Sequence, residues 1–219
     1  VYHYSNDQNV VEEKVFIPST ESYEFLKKDL GTLSYVSTDN SLFLLFAQKL
    51  YQIHITDGKS EVLDQDIQTD AFTVSDTGAH AAWLIQSGES AGYIKEIDFE
   101  TLETRTLAPS SGQTLTLNGF MNEDLVYGIV VDGDIISDSN GHETTGIHTI
   151  RIEGFDGTVK KEYHQDGLYI TGVTMGNTMM EFELSKKTKK GYEAVSKDNI
   201  LNNVKAAASI ASIELVSNN

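Results

Sequence analysis

The sequence contains no cysteine, which excludes disulfides, thiolate metal sites and cysteine nucleophiles together. Proline is nearly as scarce, with 2 residues in 219, and there is a single tryptophan. Basic residues are few: 16 Lys and Arg stand against 33 Asp and Glu, a formal net charge of -17. Such a balance repels phosphate backbones and anionic membrane surfaces, which argues against nucleic acid as a partner and against direct membrane insertion. The one basic cluster, Lys186-Lys187-Thr188-Lys189-Lys190 before Gly191, has no interleaved aromatics and reads as a solvated hairpin tip. No apolar run approaches the roughly 20 residues needed to cross a bilayer. The start of the chain lacks a basic stretch followed by an apolar one, and it opens on Val1 rather than Met, as a processed chain or a piece of a longer one would. The lack of cysteine and the many Thr, Ser, Asn and Asp favour an extracellular or cell-surface bacterial setting.

What is present is enough for a packed core: 39 % hydrophobic residues, with 10 Tyr and 9 Phe, exclude a disordered chain. Three continuous apolar runs of strand length, "SLFLLFA" (41–47), "AHAAWLI" (79–85) and "DLVYGIVV" (124–131), have the pattern of strands buried on both faces. Each follows a short strand-like segment and a polar turn. After each comes a more alternating strand, "KLYQIHITDG", "GYIKEIDFETL" or "GIHTIRIEGFDG", then a turn and a short outer strand, "SEVLDQ", "TRTLAP" or "VKKEYHQ". This is one four-strand unit written three times.

With Ile55, Ile97 and Ile152 taken as equivalent, the units are about 42 and then about 55 residues apart; four-strand repeats of this length are the signature of a β-propeller. The longer gap holds a hydrophilic insertion, about 133–146. A degenerate fourth copy runs through "YITGVT", "MMEFELS", the lysine-rich tip and "YEAVS", and "VYHYSNDQNVVEEKVFI" reads as a hairpin turning at Asn6 to Asn9. The expected architecture is all-β, a propeller or propeller segment of about four four-stranded antiparallel blades. Its units lie at about 1–30 (partial), 31–67, 68–110, 113–165 and 166–215. Two segments fit less well. "STESYEFLKKDL" (19–30) is either a short helix capped by Ser19 or Thr20 or a strand joining two blades, and 196–215 holds either a helix around Asn199 to Ala208 or a final pair of strands. Little helix is expected in either.

"VSDTGAHAAWL" followed by "YIKEIDFETLETRTL" resembles the blade pattern of TolB-like propellers and of the propeller domains that accompany prolyl oligopeptidases. The shared elements are a turn here written Ser75-Asp76-Thr77-Gly78, an apolar strand, an Ile-x-x-Ile-Asp-type strand and a later turn, Glu100 to Glu103. The resemblance covers about residues 31–165. It implies the propeller architecture and no particular activity.

Three features carry candidate chemistry. Gly88-Glu89-Ser90-Ala91-Gly92 spells the Gly-x-Ser-x-Gly of a serine-hydrolase nucleophile elbow. That elbow needs a strand, a sharp turn and a helix, whereas "YIKEIDF" after Gly92 is β-patterned, so the motif reads as a decoy in a hairpin and no catalytic residue is assigned. The insertion carries Asp132, Asp134, Asp138, Asn140 and Glu143, oxygen ligands of the kind calcium takes. Their spacing is poor, since Ile136 stands where another acid is needed, so calcium is the minority reading against a solvated acidic loop, and no cofactor is expected. The six His have no metal-ligand spacing, and Trp83 reads as core. The functional expectation is a non-catalytic binding or scaffold propeller that meets a protein or small-molecule ligand through its loops. The alternative is an accessory propeller of a serine hydrolase or peptidase whose catalytic domain lies outside these residues.

Overall fold

The computed structural model describes residues 1–87, 90–137 and 142–202, with 86, 87, 90 and 91 described by their backbone alone. A hairpin, β1 (Tyr2–Ser5) and β2 (Val10–Glu13), comes first, and then the helix α1 (Tyr23–Thr32). Three four-stranded antiparallel sheets follow in chain order. The first is β3 (Ser34–Val36), β4 (Ser41–Phe46), β5 (Lys49–His54) and β6 (Ser60–Gln65). The second is β7 (Phe72–Val74), β8 (His80–Ser87), β9 (Ser90–Asp98) and β10 (Thr104–Leu107). In the third, β11 (Gln113–Met121) and β12 (Asp124–Val131) are separated from β15 (Thr149–Glu153) and β16 (Val159–Tyr163) by a small hairpin, β13 (Ile135–Ser137) and β14 (Glu143–Thr145). The fourth sheet has three strands among the described residues: β17 (Tyr169–Met175), β18 (Met179–Thr188) and β19 (Gly191–Leu201). The chain is an all-β protein of successive antiparallel meanders, the blade architecture of a β-propeller.

The apolar runs form β4, β8 and β12, the second strand of each sheet, because each is buried on both faces. Along β8, Ala81 and Trp83 face the first sheet and pack with Phe43, Leu45 and Phe99, while Ala82 faces the third and packs with Leu125 and Tyr127. Along β12, Leu125, Tyr127 and Ile129 turn back to the second sheet while Val126 and Val130 turn forward to Phe182 and Met180 of the fourth. Alternation along a strand therefore sends successive side chains into two different inter-blade cores, and neither face needs polar residues. Trp83 is 2 % exposed, stacked at 5.8 Å on Phe72 with the Lys95 ammonium 5.5 Å from its ring centre; it is core.

Three expectations need correction. Residues 23–32 are helical, and the cap is Ser22, whose hydroxyl accepts the Phe25 N–H at 3.3 Å; Ser19 accepts the Glu21 N–H instead. The helix is held from outside: the fully buried Asp29 carboxylate accepts the Gln48 N–H at 3.2 Å and the Thr69 hydroxyl, and Leu30 packs on the Val15, Leu44 and Ile53 cluster. Ile55 is not the counterpart of Ile97. Ile53 faces Leu42 as Ile97 faces Ala81, while Ile55 N–H bonds Asn40 C=O as Phe99 N–H bonds Ala79 C=O, so Ile55 corresponds to Phe99. Asn199 to Leu201 belong to β19 rather than to a helix, and residues beyond Asn202 lie outside the described ones.

Candidate functional site

In an up-and-down meander the connection between the second and third strands leaves on one rim, and the turns between first and second and between third and fourth strands lie on the other. Side-chain ties mark the second rim. Glu100, in the β9–β10 turn, accepts from the N–H and hydroxyl of Thr38, in the β3–β4 turn, and from the Tyr35 hydroxyl. These donors, Thr38 foremost, hold its carboxyl below the usual glutamate range. One blade along, Glu123 accepts from the N–H and hydroxyl of Thr77 at 3.2 and 3.0 Å. At the next junction the Asn122 and Asn202 carboxamides bond each other reciprocally at 3.2 and 2.9 Å. Between the rims, Arg105 joins the second and third sheets: it donates to Glu96 at 2.5 Å and to Glu153 at 2.7 Å, and Tyr127 donates to Glu153 at 2.6 Å. Glu96 is fully buried, and that burial raises its pKa against the lowering effect of Arg105.

The first rim gathers the sequence's candidate features, because the Gly88–Gly92 stretch, the acidic insertion and the lysine-rich tip are the β8–β9, β12–β15 and β18–β19 connections. Gly88 and Glu89 lie outside the described residues. Ser90 opens β9, its backbone paired with Ser87, and the strand continues to Asp98, where a nucleophile elbow would have a helix. Gly92 has a structural cause: a Cβ there would lie 2.8 Å from the Ile85 carbonyl oxygen, at the irregularity in the β8–β9 register.

The insertion is folded and anchored. Gly133 turns the chain with φ +86°, the Gly146 N–H closes on the Asp134 carbonyl at 2.8 Å, and β13 pairs with β14. Lys187, from the tip of the neighbouring blade, donates to the Gly133 carbonyl at 2.5 Å and to Asp134 Oδ1 at 2.7 Å. Tyr192 donates to the Asp134 carbonyl at 2.9 Å, and its ring lies so close over Gly146 that any side chain there would overlap it. Burial, with Asp134 adding to it, raises the Tyr192 pKa to about 12. Below this junction Ile147 and Ile170 exchange two backbone bonds of 2.9 Å between the blades.

Of the calcium candidates, Asp134 is buried and paired with Lys187, whose ammonium takes the position a cation would need. Asp132 and Glu143 are exposed, with Glu143 3.4 Å from the Ser137 hydroxyl; Asp138 and Asn140 lie outside the described residues. Among the described residues no three His, Asp or Glu side chains form a metal-holding group. Sequence spacing did not show that His148 and His164 stack at 4.3 Å, His164 reaching the His148 carbonyl and Asp166 at 3.0 Å each.

No family model matches the chain, and no curated protein does either. It is similar to solved structures: an oligogalacturonate lyase from Vibrio parahaemolyticus (13 % identity, TM-score 0.39, covering 77 % of this chain and 52 % of that one); TolB from Acinetobacter baumannii (10 %, 0.28, 79 % and 54 %); and an acylaminoacyl peptidase from Pyrococcus horikoshii (10 %, 0.38, 79 % and 33 %). The chain spans about half the length of the first two and a third of the last. These likenesses concern fold alone.

Proposed function

We propose that this chain is a non-catalytic propeller module of an exported bacterial protein, binding a protein or small-molecule ligand through the rim that carries the insertion and the lysine-rich tip. The observation that carries this reading is the Lys187 junction. The insertion, the longest departure from the repeat among these connections, is fastened to the lysine-rich tip of the neighbouring sheet, so the β13–β14 hairpin is held in place before any ligand arrives. A pre-organised element gives up less conformational entropy on binding. The absence of hydrolysis is supported by the strand that runs on from Ser90, and the exported setting by the acidic, cysteine-free composition.

The test uses a photo-crosslinking amino acid placed at Ile135, which is 43 % exposed on the insertion, or at the exposed Thr56 on the opposite rim, together with a fluorophosphonate probe. Adducts with a cellular partner or ligand are expected from position 135 and not from 56, and the probe is expected to leave the chain unlabelled. Equal adducts from both positions would sink the rim assignment, and labelling that vanishes in Ser90→Ala would make the chain a hydrolase.

A further inference from the structure

We propose a second binding site, apart from the insertion and the lysine-rich tip: the cleft between β7 and β11, which takes an extended peptide segment bearing a cationic group, added as a strand to the free edge of β11. The cleft has a volume of about 420 Å³, within the roughly 300–1,000 Å³ of ordinary ligand pockets. Phe72, Leu84, Leu115 and Leu117 supply apolar wall, Asn118 a carboxamide, and Asp70 the single ionisable group.

The backbone of β11 is what selects a peptide over other apolar ligands. Among the described residues β11 is the edge strand of its sheet, with β12 on one side and no paired strand on the other. The Asp132 N–H donates to the Gly112 carbonyl at 2.9 Å, so Gly112 and Asp132 are a hydrogen-bonded pair of the antiparallel ladder. Bonded and non-bonded pairs alternate along such a ladder. The register sets Thr114 against Val130 and Thr116 against Gly128, which makes those the next bonded pairs. Leu115 and Leu117 fall between them and direct their N–H and C=O groups away from β12; no other backbone group among the described residues bonds them. Two consecutive donor–acceptor sets, about 6.8 Å apart at two strand residues, face a cleft lined by Phe72 and Leu84 together with the polar Thr73, Thr116 and Asn118. A partner strand satisfies both sets and places alternate side chains against the walls.

A bulge ends the run, because the register shifts between Leu117 and Gly119 and leaves Asn118 as the extra residue. The Asn118 side-chain oxygen accepts from the Thr116 hydroxyl at 3.1 Å, which leaves its amide N–H groups to donate to a ligand.

Charge fixes the ligand further. Asp70 is 86 % exposed and its present partner Lys28 55 % exposed. An exposed pair of this kind contributes little, so a ligand ammonium or guanidinium can replace Lys28 at the carboxylate. With no cationic residue lining the cleft and a chain at -17, an acidic peptide is repelled.

The experiment screens a positional-scanning library of dye-labelled hexapeptides against the full chain by fluorescence anisotropy. It then compares the selected peptide with the same peptide N-methylated at alternate residues, and follows the Leu115 and Leu117 amide resonances. Selection of Lys or Arg at one end, a loss of at least tenfold on N-methylation in one of the two alternating sets, and shifts at both amides are expected. Asp70→Lys, a change at an exposed position, is expected to reverse the charge preference. Any one of three results overturns the proposal: no hexapeptide bound at millimolar concentration, N-methylation in either set without effect, or binding that leaves both amides unmoved.

Discussion

Asp29 shows how one buried acid determines a local structure. Its carboxylate is the acceptor for Gln48 N–H, in the left-handed Ala47–Gln48 turn, and for the Thr69 hydroxyl. Asp29→Ala leaves both donors without a partner, and a loss of about 1–3 kcal/mol per abandoned group is expected in chemical denaturation, together with fraying of α1 seen by hydrogen exchange. The His148–His164 stack supplies a pH test. The His148 carbonyl, and after it Asp166, raises the His164 pKa above the ordinary value. A histidine whose folded-state pKa is raised contributes stability that is fully present below its unfolded value, near 6.5, and is lost as pH rises through the folded value. Relative to His164→Gln, the wild-type chain is therefore expected to lose stability as pH rises from about 6.5 through the raised folded-state value. A titration of the His164 ring by NMR with a midpoint at or below the ordinary histidine value would contradict this.

At the scale of elements, inter-element fasteners decide what the repeat alone leaves open. Arg105→Met strands Glu96, fully buried on the second sheet, and removing one member of a buried pair costs about 3–5 kcal/mol; denaturation should show a loss of that size. Lys187→Met leaves Asp134 unpaired, but the lysine is 34 % exposed, so solvent screening reduces the cost to about 1 kcal/mol. Its clearer sign should be faster proteolysis and amide exchange confined to 135–145. Gly146→Ala is expected to do the same through overlap with Tyr192. The strands themselves were legible in the sequence because burial on both faces leaves a continuous apolar run, which is why β4, β8 and β12 could be placed to within a residue or two. The rest of the pattern was not local. Asp29 meets Gln48 and Thr69, 19 and 40 positions away; Lys187 meets Asp134 across 53 positions. No periodicity encodes such pairs. The rim features could be picked out one by one as departures from the repeat, yet their adjacency follows only from stacking the blades.

Over the whole molecule, charge has the widest reach. A net -17 on a compact fold destabilises it through self-repulsion, which added salt screens over a Debye length of about 10 Å at 0.1 M. The melting temperature is expected to rise between 10 mM and 150 mM sodium chloride, the increase from screened repulsion exceeding the weakening of surface pairs such as Lys28–Asp70; a falling melting temperature would show that attractive pairs dominate instead. The separation of the interior into one core per blade junction also has a mechanical consequence. Each of the three inter-blade cores is shared by two neighbouring sheets only, so among the described residues no single core clamps all the sheets when the chain is pulled from its two ends. The tension should peel the sheets off in sequence, giving a sawtooth of modest peaks. Each tooth should lengthen the tether by one sheet's worth of chain, at about 3.3–3.6 Å per residue released. The tallest peak should fall where Arg105 spans the second and third sheets.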